Sequence, residues 1–196
     1  MAAPDTKALL LRAVREIKGL KAQLAEAEAA PAQSPPIAIV GMACRLPGAP
    51  SVEAFWRLLV DEVDALTEIP RDRFDLDAHY DPDHKNPRGI YVRRAGFVSD
   101  FNDFDPRFFG ISPREALQMD PQQRVVLDTA YAALEDAAIA PGSLAGSPTG
   151  VYVGYSMNEY ANRLRRHPVY GQINSQTGTS NAHSVVAGRV SYVLGL

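Results

Sequence analysis

The stretch Ala29-Ala30-Pro31-Ala32-Gln33-Ser34-Pro35-Pro36 divides this chain into two parts that cannot share one continuous element. Small side chains give it no apolar face to bury, and its prolines interrupt any helix, so it reads as a linker that holds apart what it joins. The organisation expected is a helix over residues 1–30, a linker over 31–36 and a domain over 37–196.

The first part is rich in Ala, Leu, Glu and Lys, lacks aromatics, and has no proline after Pro4 until the linker. Placing Leu10, Ile17 and Leu24 at heptad position a puts Thr6, Ala13, Leu20 and Ala27 at d, a narrow apolar seam. Glu16 then falls at g and Lys21 at the following e, positions that pair between parallel helices, while Gly19 sits at the exposed c position. The linker favours a helix that pairs with another chain over one that packs on its own domain. Since roughly three heptads are marginal alone, such pairing needs a dimeric body behind the linker.

From Ile37 the pattern changes to short apolar runs alternating with helical segments, which is an α/β arrangement. Ile37–Val40 and Gly150–Gly154 read as buried strands. Val52–Val63 reads as an amphipathic helix capped by Ser51. Pro70–Arg94 reads as a polar surface excursion, and Gly89–Val98 as an extended strand or hairpin. Ser112-Pro113 opens a helix that Asp120-Pro121 interrupts. A longer helix follows to Ala138, with Val125, Leu127, Ala130, Leu134 and Ala137 for its inner face, and Ala182–Leu196 forms a last, small-residue helix.

Composition excludes several classes. The 196 residues carry 20 basic and 23 acidic side chains, for a net charge of -3, so no positive field exists to hold nucleic acid. The apolar runs fall far short of the roughly 20 residues that cross a bilayer. Lys7, Arg12, Arg15 and Lys18 interrupt any signal-peptide core. Single Cys44 precludes an internal disulfide, and the four histidines lack zinc-ligand spacing, so a cytoplasmic protein without a metal is expected.

The residues present no catalytic constellation. Cys44 follows a strand end but has no neighbouring histidine in sequence, and it reads as structural. Gly41-Met42-Ala43-Cys44-Arg45-Leu46-Pro47-Gly48 lacks the Gly-Lys-Ser/Thr ending of a phosphate loop. His79, His84, His167 and His183 are scattered, and structural or surface roles are expected for each.

Three separated blocks, Ile37–Ala49 (IAIVGMACRLPGA), Phe104–Arg124 (FDPRFFGISPREALQMDPQQR), and GVYVG at residues 150–154 followed by Gly178–Leu196, resemble the opening half of ketosynthase domains in type I modular polyketide synthases. The N-terminal helix is similar in character to the docking coiled coils that precede such domains. The resemblance implies a thiolase-like fold, layered α/β/α/β/α and homodimeric, of which this chain supplies the N-terminal half. It implies a cysteine that takes an acyl chain from an acyl carrier protein, and two histidines that assist decarboxylative Claisen condensation with a malonyl-type extender. In the family the cysteine's DTACSS motif follows the last helix, so no catalytic residue is expected before Leu196 and the chain alone is expected to be inactive. No cofactor is expected on the chain itself, since the phosphopantetheine arm arrives on acyl carrier proteins.

By the same resemblance Thr177 and Asn181 border an acyl pocket, or their stretch merely permits close helix packing. Leu10, Glu16, Ile17, Leu20, Lys21 and Leu24 would receive the C-terminal docking helix of an upstream synthase polypeptide. An interaction module valued for that helix is the alternative reading, and a fatty acid synthase condensing domain, which shares fold and chemistry, suits the linker less well. Half of an interlocked core also leaves strand faces bare, so residues 37–196 alone are expected to aggregate or to need a partner.

Overall fold

The computed structural model describes Arg12, residues 14–23, residues 36–167 and residues 175–196. It divides into one unit to Ala38 and a second from Ile39 to Leu196. In the first, residues 14–23 are helical and every described side chain is exposed.

The second unit is built from helix starts that the local sequence dictates. Ser51 Oγ accepts the Ala54 N–H at 3.2 Å and opens α1, Val52–Val60. The helix ends sooner than its apolar pattern predicts because Glu62 enters the left-handed region (φ 52°), where Val63 N–H reaches back to Leu58 O at 3.0 Å. Two-residue strands β1 (Thr67–Glu68) and β2 (Arg94–Ala95) pair antiparallel, so the polar excursion closes on itself. Arg93 bonds Glu68 and Asp77 across it, and Arg94 bonds Asp64 at 2.8 Å. That carboxyl is held below its usual range by the Leu66 amide and by Arg94.

Residues 104–124 fold as a series of turns and caps. Asp105 Oδ1 accepts the amides of Arg107 at 2.9 Å and Phe108 at 3.3 Å. Ser112 Oγ then caps α2, Pro113–Gln118, through the Glu115 amide at 3.2 Å. Asp120 caps α3, Pro121–Asp136, through the Gln122 amide at 2.9 Å, with Pro121 in the first turn. A 3₁₀ turn (Pro141–Leu144), α4 (Glu159–Arg166) and α5 (Ser175–Thr179) precede α6, Val185–Leu194. Gly195, at φ 72°, closes α6 in a conformation that suits glycine. The last helix starts later than expected because residues 180–184 form turns.

Ile111, Ala116, Met119, Leu127 and Val190 form the core, with Phe104, Phe109, Val151 and Leu194 against it. Of the paired phenylalanines, Phe109 stacks on Phe104 at 5.3 Å against the core, while the more exposed Phe108 meets Tyr131 edge-on at 4.8 Å. On α3 the fully buried positions are Leu127 and, unexpectedly, Gln123; Val125, Ala130, Leu134 and Ala137 are only half-buried.

The two expected buried strands differ most from expectation. Residues 36–45 and 151–158 join no ladder, and the exposed fractions are 92% for Ile37, 80% for Ile39 and 95% for Tyr152. A strand is stable only with neighbours that accept its backbone bonds, and among the described residues none lies beside these two. Contact on one side remains. Met42 N–H donates to Asp136 Oδ2 at 2.8 Å. Gly41 packs so near α3 that an added Cβ would lie 2.7 Å from Ala137 Cβ.

Arg189 ties α6 to its surroundings. It donates to Glu115 Oε1 at 2.7 Å, Gln123 Oε1 at 3.0 Å and Thr179 O at 3.4 Å, with its side chain only 10% exposed. We expect Arg189→Met to lower unfolding free energy by about 2–3 kcal/mol, because two largely buried acceptors lose their donor. Urea denaturation checks this, and a loss below about 0.5 kcal/mol, the worth of an exposed ion pair, would contradict it.

Candidate functional site

The polar interior gathers where α2, α3, α5 and the turn before α6 meet. Gln118, Asp120, Gln123, Ser180 and Asn181 are all buried there. The chain places them by its own punctuation: Asp120-Pro121 ends one helix and begins the next, so the Asp120 amide points away and donates to Ser180 O at 3.0 Å.

Thr177 and Asn181 do come together at this junction. Asn181 Nδ2 donates to Gln118 O at 3.0 Å and Thr177 O at 3.1 Å, while Thr177 Oγ1 donates to Gln118 Oε1 at 3.3 Å. Both side chains therefore brace α5 against α2. Asp120 Oδ2, Gln123 Nε2, Ser180 Oγ and Asn181 Oδ1 are buried without a protein partner among the described residues. Buried polar atoms of this kind are completed by ordered water or by groups from another segment, which makes the junction a seam rather than a finished interior.

Tyr155 and His183 flank the seam with ring centroids 4.7 Å apart. Burial, reinforced by the negative charge of Asp120, pushes the Tyr155 phenol far up, and its oxygen accepts from Gln122 Nε2 at 3.4 Å. Sequence reasoning missed Tyr155, Gln123 and Arg189. The Asp-Pro cap was readable, but nothing local marks a glutamine that meets an arginine on another helix.

Cys44 lines a cleft of about 470 Å³ together with Arg45, Glu53, Asp103, Asp128 and Asp136. Arg45, the one cation lining it among the described residues, is taken by Asp128 at 3.1 Å, so no histidine or unpaired cation stands there to activate a thiol. Burial raises the Asp128 carboxyl, against the pull of Arg45. His79, His84, His167 and His183 stay in separate places, and no cluster of three metal-ligating side chains exists among the described residues.

Of the expected docking residues, Leu10 and Leu24 lie outside the described residues. Ile17 and Leu20 are 53% and 61% exposed, with Val14 beside them at 48%; Glu16 and Lys21 are also exposed. Among the described residues no helix is long and apolar enough to cross a membrane.

Comparison with known proteins agrees with this geometry. Residues 34–196 match the family described as beta-ketoacyl synthase, N-terminal domain. The chain is 47% identical over 189 residues to polyketide synthase GfsE of Streptomyces halstedii, covering 95% of this chain and 5% of that protein. It is 44% identical to the pikromycin polyketide synthase component PikAII of Streptomyces venezuelae, over 95% of this chain and 5% of that protein. Among solved structures it is similar to the oxazolomycin ketosynthase domain OzmH KS7 of Streptomyces albus JA3453, with a TM-score of 0.71 and 38% identity over 80% of this chain and 27% of that one. A ketosynthase from module 6 of the bacillaene synthase of Bacillus subtilis 168 matches with a TM-score of 0.67 and 38% identity, covering 81% of this chain and 24% of that one. The matched region includes the capped turns of residues 104–124 and the Asn181 seam, and over it the chain belongs to the β-ketoacyl synthase family, as the N-terminal domain of a ketosynthase of thiolase-like fold.

Proposed function

We propose that this chain is the opening portion of a ketosynthase in a modular polyketide synthase, and that the complete domain carries out decarboxylative Claisen condensation. The observation that carries the reading is the family match over residues 34–196, with relatives of which this chain spans only a small part. In the complete domain a cysteine beyond Leu196 takes the acyl chain from the phosphopantetheine arm of an acyl carrier protein, and two histidines assist loss of carbon dioxide from a malonyl-type extender. The released carbanion equivalent attacks the thioester carbonyl, and the cysteine thiolate leaves. Developing negative charge on the carbonyl oxygen calls for backbone N–H donors.

Residues 37–196 then have a supporting task. The Arg189 bonds fix α6, and the Asn181–Thr177–Gln118 contacts fix α5, so that whatever follows α6 is held in register. Thr177 and Asn181 act on an acyl pocket by shaping its wall rather than by touching the reacting atoms. A cytoplasmic homodimer fits this work.

The test is acylation. A polypeptide continuing past the nucleophile motif should be loaded by an acyl thioester of a carrier protein, as read by intact-protein mass, while residues 1–196 should gain no acyl group. Stable acylation of Cys44 in residues 1–196 would overturn the assignment.

A second role for residues 1–30 is favoured by the exposed row of Val14, Ile17 and Leu20. Two such helices pair in parallel and receive the C-terminal helix of an upstream polypeptide. Light scattering with that helix should register a complex that the double variant Ile17→Glu, Leu20→Glu loses, because two charges would enter the seam. An unchanged complex in the variant would reduce the segment to a tether.

A further inference from the structure

A second cleft, of about 370 Å³, lies between the Asp72–Arg73 turn, the Phe101–Asn102 loop and helices α3 and α4. Arg73, Arg124, Arg163 and His167 line it against one carboxylate, Asp72. None of the three arginines forms an ion pair among the described residues, in contrast to Arg45, Arg93, Arg94 and Arg189.

The guanidiniums are nonetheless held in place. Arg73 lies over the Phe101 ring at 4.2 Å and 5.8 Å from the Phe97 centroid, an arrangement that leaves the in-plane N–H edge free to donate. Arg124 gives one N–H to Met119 O at 3.2 Å and lies 6.0 Å from the Tyr160 ring, while its Nε is buried without an acceptor. The Tyr160 hydroxyl is itself anchored, donating to Leu117 O at 2.9 Å. Arg163 stands exposed on α4 and lines the cleft.

Three like charges gathered on one cleft repel unless they share a counter-ion, and one carboxylate does not balance them. A planar carboxylate satisfies a single guanidinium fork, whereas a tetrahedral phosphate offers oxygens to several converging forks at once. We propose that this cleft is a binding site for an oxyanion of the phosphate class, inorganic phosphate or a phosphate ester. Its volume is within the range of small-molecule sites, enough for an ester with a modest organic group. Two sources carry this chemistry, a free phosphate and the phosphate of a pantetheine arm; only the second rests on the ketosynthase reading.

The test titrates the chain with inorganic phosphate and, separately, with phosphopantetheine at constant ionic strength, followed by ³¹P line broadening. Saturable binding is expected, weakened about ten-fold in Arg73→Gln and in Arg163→Gln. Arg165→Gln, whose guanidinium bonds Asn162 at 3.2 Å and lies outside the cleft, should bind as the parent does. Arg163 is exposed, so its substitution leaves folding intact, which circular dichroism verifies. Tighter binding of phosphopantetheine than of phosphate assigns the arm, and equal affinity assigns the free anion. Binding that does not saturate, or that falls equally in Arg165→Gln, shows only diffuse charge and overturns the site, whatever the acylation experiment gives.

Discussion

One guanidinium organises the polar half of this structure. Arg189 joins α6 to Glu115 on α2 and Gln123 on α3, both far away in sequence, and to the carbonyl of Thr179 at the end of the preceding α5. Its partners are set by caps: Ser112 starts the helix that presents Glu115, and Asp120 starts the helix that presents Gln123. Local backbone chemistry thus aims the side chains, and the arginine locks the aim. An ion pair of this kind adds less to net stability than its Coulomb energy suggests, yet losing one partner is costly. That asymmetry makes it a device for fixing one arrangement of helices.

The apolar half is unfinished in the opposite sense. Ile37, Ile39, Val40 and Tyr152 lie on backbone outside any ladder and are 66% exposed or more, although nearby Met42 bonds Asp136 and Val151 packs on the core. Trp56, Leu59 and Val60 of α1 are also more than half exposed, an amphipathic helix without a cover among the described residues. Such a surface is wider than the scattered apolar residues usual on a folded protein. The chain spans about a quarter of the solved ketosynthases it resembles.

What could be read from sequence follows the range of the interaction. Ser51, Ser112-Pro113 and Asp120-Pro121 announced helix starts because a cap acts within three residues. The blocks around Phe104–Arg124 announced the family, and the structure explains their residue types: Asp105 makes the turn, Phe109 packs on the core, Phe108 meets Tyr131, and Asp120, Gln123 and Arg124 make bonds. The Arg189 knot and Tyr155 beside Asp120 were not legible, since each depends on a partner dozens of residues away. The apolar runs at Ile37–Val40 and Gly150–Gly154 predicted buried strands, and the structure has extended, largely exposed backbone there instead; burial belongs to the neighbour as much as to the strand.

Amide hydrogen exchange tests this account most directly, by comparing residues 1–196 with a polypeptide that continues past the nucleophile motif. The account predicts that the amides of Ile37–Val40 and Val151–Val153 exchange at near-unprotected rates in the shorter chain, and slow by about a thousand-fold or more once the sheet is complete. Protection of these amides in residues 1–196 alone, or equal exchange in both polypeptides, would contradict the claim that they are strands whose partners lie elsewhere.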